Sequence, residues 1–268
     1  NSPSTLDVIN KFSKKFDINH VEYDTSSYSG MLDANQESFG KRNIPFYDVS
    51  KAKTIVSFGY DFLGSSFNHN LFNQQFTKQR VVNRDKREMS RLYTFESNLS
   101  LTGANSDHRI PIKSSHSKVY IAELWNILNS KIGSGRDSIS FSKTKKSLLK
   151  LDILNKVADD LIQNLGSSLV ISSSNDKSVQ SVVIMINELL RSYGKTIDLN
   201  RCYNIRKGDD SKMADFVTDL ESKSVHGVIF LNSNPVYNHY LSSRIKDALN
   251  NVPCLLYTSP SPRDKSSS

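Results

Sequence analysis

The chain has 268 residues, a formal net charge of +8 and two cysteines, Cys202 and Cys254. No run of about eighteen apolar residues occurs, which excludes a transmembrane helix in this stretch, and two cysteines exclude a cysteine-rich metal site. The chain is rich in Ser, Asn and Lys, but enough Leu, Ile, Val and Phe remain to build a core, so global disorder is excluded as well.

Ser4 and Asp7 have the spacing of a capping box, and Leu6, Ile9, Phe12 and Phe16 recur after them at helical intervals. Residues 20–23 suit a short strand, and 31–39 a short helix closed by Gly40. Residues 54–58 form a β-branched and aromatic strand ended by Gly59. Residues 68–82 read as a polar helix with Leu71, Phe72 and Phe76 inward. The next strand, 92–95, runs into Glu96 and a loop of small polar residues (Ser97, Asn98, Ser100, Thr102, Gly103, Asn105). Asp107 and a second short run, Ile110-Pro111-Ile112, follow.

Ile121, Leu124, Trp125, Leu128 and Ile132 form a helical stripe. Leu151, Leu154, Val157, Ala158, Leu161 and Leu165 form another, stopped by Gly166. Residues 168–171 are a strand. Val179, Val182, Val183, Ile186, Leu189 and Leu190 make a third stripe, with Gly194 as the expected C-cap. Met213, Phe216, Val217 and Leu220 make a fourth. The most strand-like run, 225–231, ends in Asn232-Ser233-Asn234-Pro235. Strands alternating with helices predict an α/β fold with mainly parallel sheets. The polar segment 133–147 divides it into a first lobe at 1–132 and a second at 148–253, with 133–147 as connector.

Motifs with catalytic meaning are missing. No GxGxxG or P-loop follows a strand, and no GxSxG elbow occurs. The histidines at 20, 69, 108, 116, 226 and 239 show no metal-ligand spacing. Lys78, Arg80, Arg84, Lys86, Arg87 and Arg91 cluster, but Asp85 and Glu88 dilute them and no aromatic residues interleave. They read as a solvated helix end rather than a nucleic-acid site. Lys143, Lys145, Lys146 and Lys150 are expected to solvate the connector. What remains are polar strand ends, 59–61, 96–98, 172–174 and 232–235. On a parallel sheet such ends can line one crevice, which supplies hydrogen bonds rather than an acid–base pair or a nucleophile.

The stretch Cys254-Leu255-Leu256-Tyr257-Thr258-Ser259-Pro260-Ser261-Pro262-Arg263-Asp264 is similar, over eleven consecutive residues, to a translated transposase sequencing adapter. On that likeness residues 254–268 are set aside as a fusion scar. The natural sequence is then expected to end at Pro253 in mid-gene, and the chain, which begins at Asn1 without Met, is expected to be an internal fragment. Arg263, Lys265 and Asp264 carry a net +1, which leaves +7 on the natural part. Only Cys202 remains there, so no disulfide closes within it.

The polar strand ends resemble those of the molybdopterin oxidoreductase superfamily. There, a Gly-Ser-Asn-Pro-like turn, an Asp-Pro-Arg strand end, a Thr-rich stretch with Ala-Asp, and a Pro-Gly-Thr-Asp turn hold the guanine and phosphate parts of the pterin cofactor. Gly59-Tyr60-Asp61 stands at the first position and Glu96-Ser97-Asn98 at the second. Thr102 and Asp107 follow in order, and Asn232-Ser233-Asn234-Pro235 matches a late Gly-Asn-Pro turn. The resemblance implies a vestigial pterin pocket at Gly59, Asp61, Glu96, Ser97, Thr102, Asp107, Asn232, Asn234 and Pro235, with no catalytic residue and no metal ligand. Two departures argue against a retained cofactor. Asn98 stands where the superfamily has Arg, which removes a bidentate donor. Ser114-Ser115-His116-Ser117 replaces the glycine turn, which removes close backbone approach.

Longer segments are similar to a narrower family, the large iron–sulfur subunit of bacterial alternative complex III, a quinol:electron-acceptor oxidoreductase. They are SPSTLDVINKF, YSGMLDANQESFGKRNIPFYDVSKAKTIVSFGYDFLG and MSRLYTFESNLSLTGANSDHRIPI. The resemblance spans nearly all of residues 2–253. It implies two Rossmann-like lobes of a molybdopterin-oxidoreductase-like domain that carries no molybdenum cofactor. Iron–sulfur clusters are expected C-terminal to this part, and the protein is expected on the periplasmic side of the inner membrane, docked on other subunits of the respiratory complex. The chain is thus expected to be a scaffold without a redox centre, with no nucleic-acid partner and no membrane span of its own. A molybdopterin enzyme that keeps its cofactor and a non-redox α/β ligand-binding module stand as alternatives.

Overall fold

The computed structural model describes residues 3–82, 84, 87–141 and 149–258. The chain divides into two compact units, 28–206 and a second made of 1–27 with 207–268. Of the expectations above, those for Asp85, Lys86, the connector residues 142–147 with Lys143, Lys145 and Lys146, and residues 259–268 lie outside the described residues.

The larger unit is built on four parallel strands: β2 (Thr54–Phe58), β3 (Arg91–Glu96), β4 (His108–Pro111) and β5 (Ser168–Ser172). Their order is β4-β3-β2-β5, with Thr54 aligned to both Arg91 and Ser168. The side chains alternate between faces, as the strand period of two requires. Val56, Phe58, Tyr93, Phe95 and Val170 point into one core. They pack there against α5 (Ser117–Ile132), α6 (Leu151–Gln163) and α7 (Lys177–Leu189). Ile55, Leu92, Leu169 and Ile171 point into the other core, against Phe72 and Phe76 of α3 (His69–Arg80) and the segments around Val49 and Phe62. Helices therefore cover both faces, which explains why these strands are apolar throughout.

Two further elements complete this unit. The helix α2 (Ser29–Phe39) ends on Gly40 in the left-handed region, φ 69°. An antiparallel pair, β1 (Ile44–Tyr47) with β6 (Ile197–Tyr203), carries a bulge between Pro45 and Phe46. A short helix, α4 (Leu101–Ala104), links β3 to β4.

The expected boundary at 133–147 falls inside this unit, because β2 and β5, one on each side of it, are hydrogen-bonded neighbours. Side chains of α5 hold the start of that polar segment. Trp125 Nε1 donates to the Asp137 carbonyl at 3.1 Å. Asn126 brackets Ile139, accepting from its N–H at 2.8 Å and donating to its carbonyl at 2.9 Å. The backbone at Asp137 and Ile139 is thus held by side chains of α5.

The smaller unit contains α1 (Pro3–Phe16), α8 (Asp210–Glu221), β7 (Gly227–Phe230), α9 (Pro235–Asn238), α10 (Ser242–Leu249) and β8 (Cys254–Tyr257). Its core joins Met213, Val217 and Leu220 of α8 to Val228 and Phe230 of β7 and to Ile245 and Ala248 of α10. β7 and β8 pair in parallel. The strand β8 thus occupies residues that the sequence reading had set aside, and three of its four residues are exposed. Residues 20–23, expected as a strand, are irregular, although Val21 and Tyr23 pack on this core. Among the described residues, no helix is long and apolar enough to cross a membrane.

Candidate functional site

Outside the carboxyl ends of β2, β3 and β5 lies a crevice of about 570 Å³. The strand order reverses here, since β3 and β4 extend the sheet to one side of β2 and β5 to the other. Such a reversal splays the following loops apart and leaves room for a ligand. Of the expected residues, Gly59, Glu96 and Ser97 line it. Gly59 takes φ +69°, so the chain turns sharply off β2. Its N–H donates to the Phe95 carbonyl at 2.8 Å, and Ser173 N–H donates to the Phe58 carbonyl at 3.1 Å, so the three strand ends are tied together at the mouth.

Glu96 is 5% exposed and fully engaged. Arg109 Nε donates to its Oε1 at 2.6 Å, and Ser100 Oγ donates to its Oε2 at 2.6 Å. Ser100 also caps α4 by accepting from Gly103 N–H at 2.9 Å. A Cβ on Gly103 would fall 1.9 Å from Glu96 Oε1, so this loop closes over the carboxylate only with glycine there. A carboxylate held by a guanidinium and a hydroxyl serves as a strut rather than as a free base.

Asp61, Thr102 and Asp107 do other work. Asp61 Oδ1 accepts from Thr102 N–H at 2.9 Å and from Thr102 Oγ1 at 2.8 Å, while Oδ2 accepts from Ser65 N–H at 2.9 Å. Burial pushes the Asp61 pKa up, but these hydrogen bonds outweigh it and hold it below the ordinary carboxylate range. Thr102 Oγ1 in turn accepts from Leu63 N–H at 3.0 Å. Asp107 accepts from Arg80 Nη1 at 2.8 Å and from Leu92 N–H at 2.8 Å. Burial raises its pKa, yet the Arg80 and Leu92 hydrogen bonds bring it below the ordinary range. All three side chains tie loops to the sheet and stand outside the lining of the crevice.

Asn232, Asn234 and Pro235 belong to the smaller unit. Asn232 has φ 49°, and its N–H donates to Thr258 Oγ1 at 2.9 Å. Asn234 is the N-cap of α9, and Pro235 opens it at the first helical position.

The wall opposite the strand ends comes from Ser114, Ser115, Ser117 and Lys118, at the start of α5, and from Asp176 and Val179, at the start of α7. Ser114 Oγ donates to Ser97 Oγ at 3.0 Å. Among the described residues, the side chains of Asn98, Ser115, Ser117 and Lys118 line the crevice with no protein hydrogen-bond partner. Sequence reading missed Lys118, Asp176 and Arg109. The helical stripe that begins at Ile121 could have placed Lys118 in a first helical turn facing the strand ends, but nothing local marks Arg109 as the partner of Glu96.

Two guanidiniums of the basic cluster are used inside the chain, Arg80 on Asp107 and Arg91 on Asp160 at 2.7 Å. Among the described residues, no group of three or more His, Cys, Asp or Glu could hold a metal ion. The chain matches no known protein-family model and no curated protein.

Proposed function

We propose that residues 1–253 are a scaffold portion of the large iron–sulfur subunit of a membrane-associated, quinol-oxidising respiratory complex of the alternative complex III type, with a molybdopterin-oxidoreductase-like ancestry. The supporting observation is the convergence of Gly59, Glu96-Ser97-Asn98, Ser114, Ser115 and Ser117 on one crevice at the carboxyl ends of parallel strands. Gly59 and Glu96-Ser97-Asn98 stand at the positions of cofactor-holding turns in the resemblance, and Ser114 to Ser117 stand where its glycine turn would be.

The crevice lining fits a pterin dinucleotide poorly. Among the described lining residues Lys118 is the one cation and Asp176 offsets it, while Glu96 is already paired with Arg109, so a diphosphate would meet little net positive charge. Asn98 offers no bidentate fork. Ser114 to Ser117 form a tight helical turn leading into α5 and present side chains where a glycine turn would offer bare backbone. In this reading the unit supports neighbouring, cluster-bearing parts and other subunits, and the redox step lies outside it.

The test is to resequence the gene across the Pro253 junction to its stop codon and to analyse the purified full-length protein for molybdenum and pterin. Runs of the C-x₂-C-x₂-C-x₃-C-P type downstream, a natural sequence replacing residues 254–268, and no stoichiometric pterin are the expected results. A stop soon after Pro253, or a long extension without cysteine clusters, overturns the electron-transfer reading. Stoichiometric pterin overturns the scaffold reading. A second reading, a non-redox module for a polar ligand, is favoured by the unpartnered Asn98, Ser115, Ser117 and Lys118 in the crevice, and survives only if the cysteine clusters are missing.

A further inference from the structure

The strand β5 is an edge strand, yet all five of its residues are buried. A buried edge has outward-facing N–H and C=O groups that must find partners. Here side chains supply partners for three carbonyls and for the central N–H. Asn187 Oδ1 accepts from Val170 N–H at 3.0 Å, and Asn187 Nδ2 donates to the Val170 carbonyl at 2.7 Å. Ser192 Oγ and Thr196 Oγ1 each donate to the Ser168 carbonyl at 2.8 Å. Gln180 Nε2 donates to the Ser172 carbonyl at 3.1 Å. These four side chains are 0–3% exposed.

The residues served, 168, 170 and 172, alternate along the strand, as the groups on one edge must. The Asn187 amide gives Val170 one acceptor and one donor together, which is what a residue of an adjoining strand would give. Polar residues on the buried side of α7 are unusual for an amphipathic helix, and each of the two here, Gln180 and Asn187, contacts this edge.

We propose that Gln180, Asn187, Ser192 and Thr196 stand in for a fifth strand and shut this edge against pairing with a strand of a second copy of the chain. Side chains thus occupy the outward carbonyls of 168, 170 and 172 and the outward N–H of Val170, beneath the helix α7.

Native-state hydrogen exchange on the unaltered chain is the first test. The Val170 amide, which faces outward, should exchange as slowly as the Leu169 and Ile171 amides in the same strand. Exchange of Val170 at the rate of frayed segments overturns the proposal. In Asn187→Leu, which keeps the bulk and removes both hydrogen bonds, Val170 exchange should accelerate by at least about tenfold. Size-exclusion chromatography with light scattering should show concentration-dependent association beyond that of the parent. The double variant Ser192→Ala/Thr196→Val exposes the Ser168 carbonyl without touching Asn187 and should associate in the same way. If either variant folds and keeps both the parent's size distribution and its Val170 protection, the idea of a lock fails.

Discussion

Gly103 and Glu96 constrain each other: the loop from β3 to β4 passes so close over the carboxylate that no Cβ fits. Gly103→Ala should therefore lower stability by about 1–3 kcal/mol, as overpacking does, and should loosen the Arg109–Glu96 pair. Urea unfolding measures the first effect. Asp61, Asp107 and Asp160 make a second residue-scale prediction. In each, burial raises the pKa but hydrogen bonds from neighbours bring it below the ordinary range; for Asp160 these come from Tyr93 and Arg91. Each carboxylate binds its proton more weakly in the folded chain than in the unfolded one. The stability it contributes is thus complete above its unfolded pKa of about 4 and is lost as pH falls through the lowered folded value. The urea midpoint should hold above about pH 5 and fall below about pH 4, and Asp107→Asn should make that fall shallower.

The helices and central strands were legible because their periods are strong. Residues 54–58 were expected as a strand, and β2 has those bounds, while the stripes of α5, α6, α7 and α8 were each seen. Pairing over long separations was not legible. β1 and β6 meet across some 150 residues, and neither run is distinctive without its partner. Gly194 was expected to cap α7, but the helix ends on Leu190, and Gly194 sits in a later turn whose N–H donates to the Ile197 carbonyl at 2.8 Å. Composition does not reveal that Trp125, Asn126 and Asn129 reach across to hold the backbone of Arg136, Asp137 and Ile139, at the start of the segment expected as connector. That reading carries a test. Trp125→Phe keeps an aromatic ring in the core but orphans the Asp137 carbonyl. It should cost about 1–3 kcal/mol and should raise proteolytic cleavage within 133–141.

At the scale of the whole chain, much of the crevice was legible and its make-up only partly so. Strand ends on a parallel sheet must share one side, which brought Gly59, Glu96 and Ser97 together. Asp61, Thr102 and Asp107 have the same residue types and spacing but serve as loop ties, a distinction that depends on side-chain direction. Each unit has its own core, so unfolding should proceed in two steps. Trp125, the single tryptophan, belongs to the larger unit, so its fluorescence should follow that unit alone, while far-UV circular dichroism follows both. Coincident denaturant transitions from the two probes would refute this. The smaller unit is also assembled from segments that are far apart in synthesis. Residues 1–27 are made well before their partners, which begin only at Lys207. At the usual pace of translation, α1, with Val8, Phe12 and Phe16 exposed even in the finished fold, waits about 10 to 40 s for the segments that complete its unit. During that interval α1 waits with its apolar residues in water while the larger unit is already folding, so the slow step in completing the smaller unit is the synthesis of its second half.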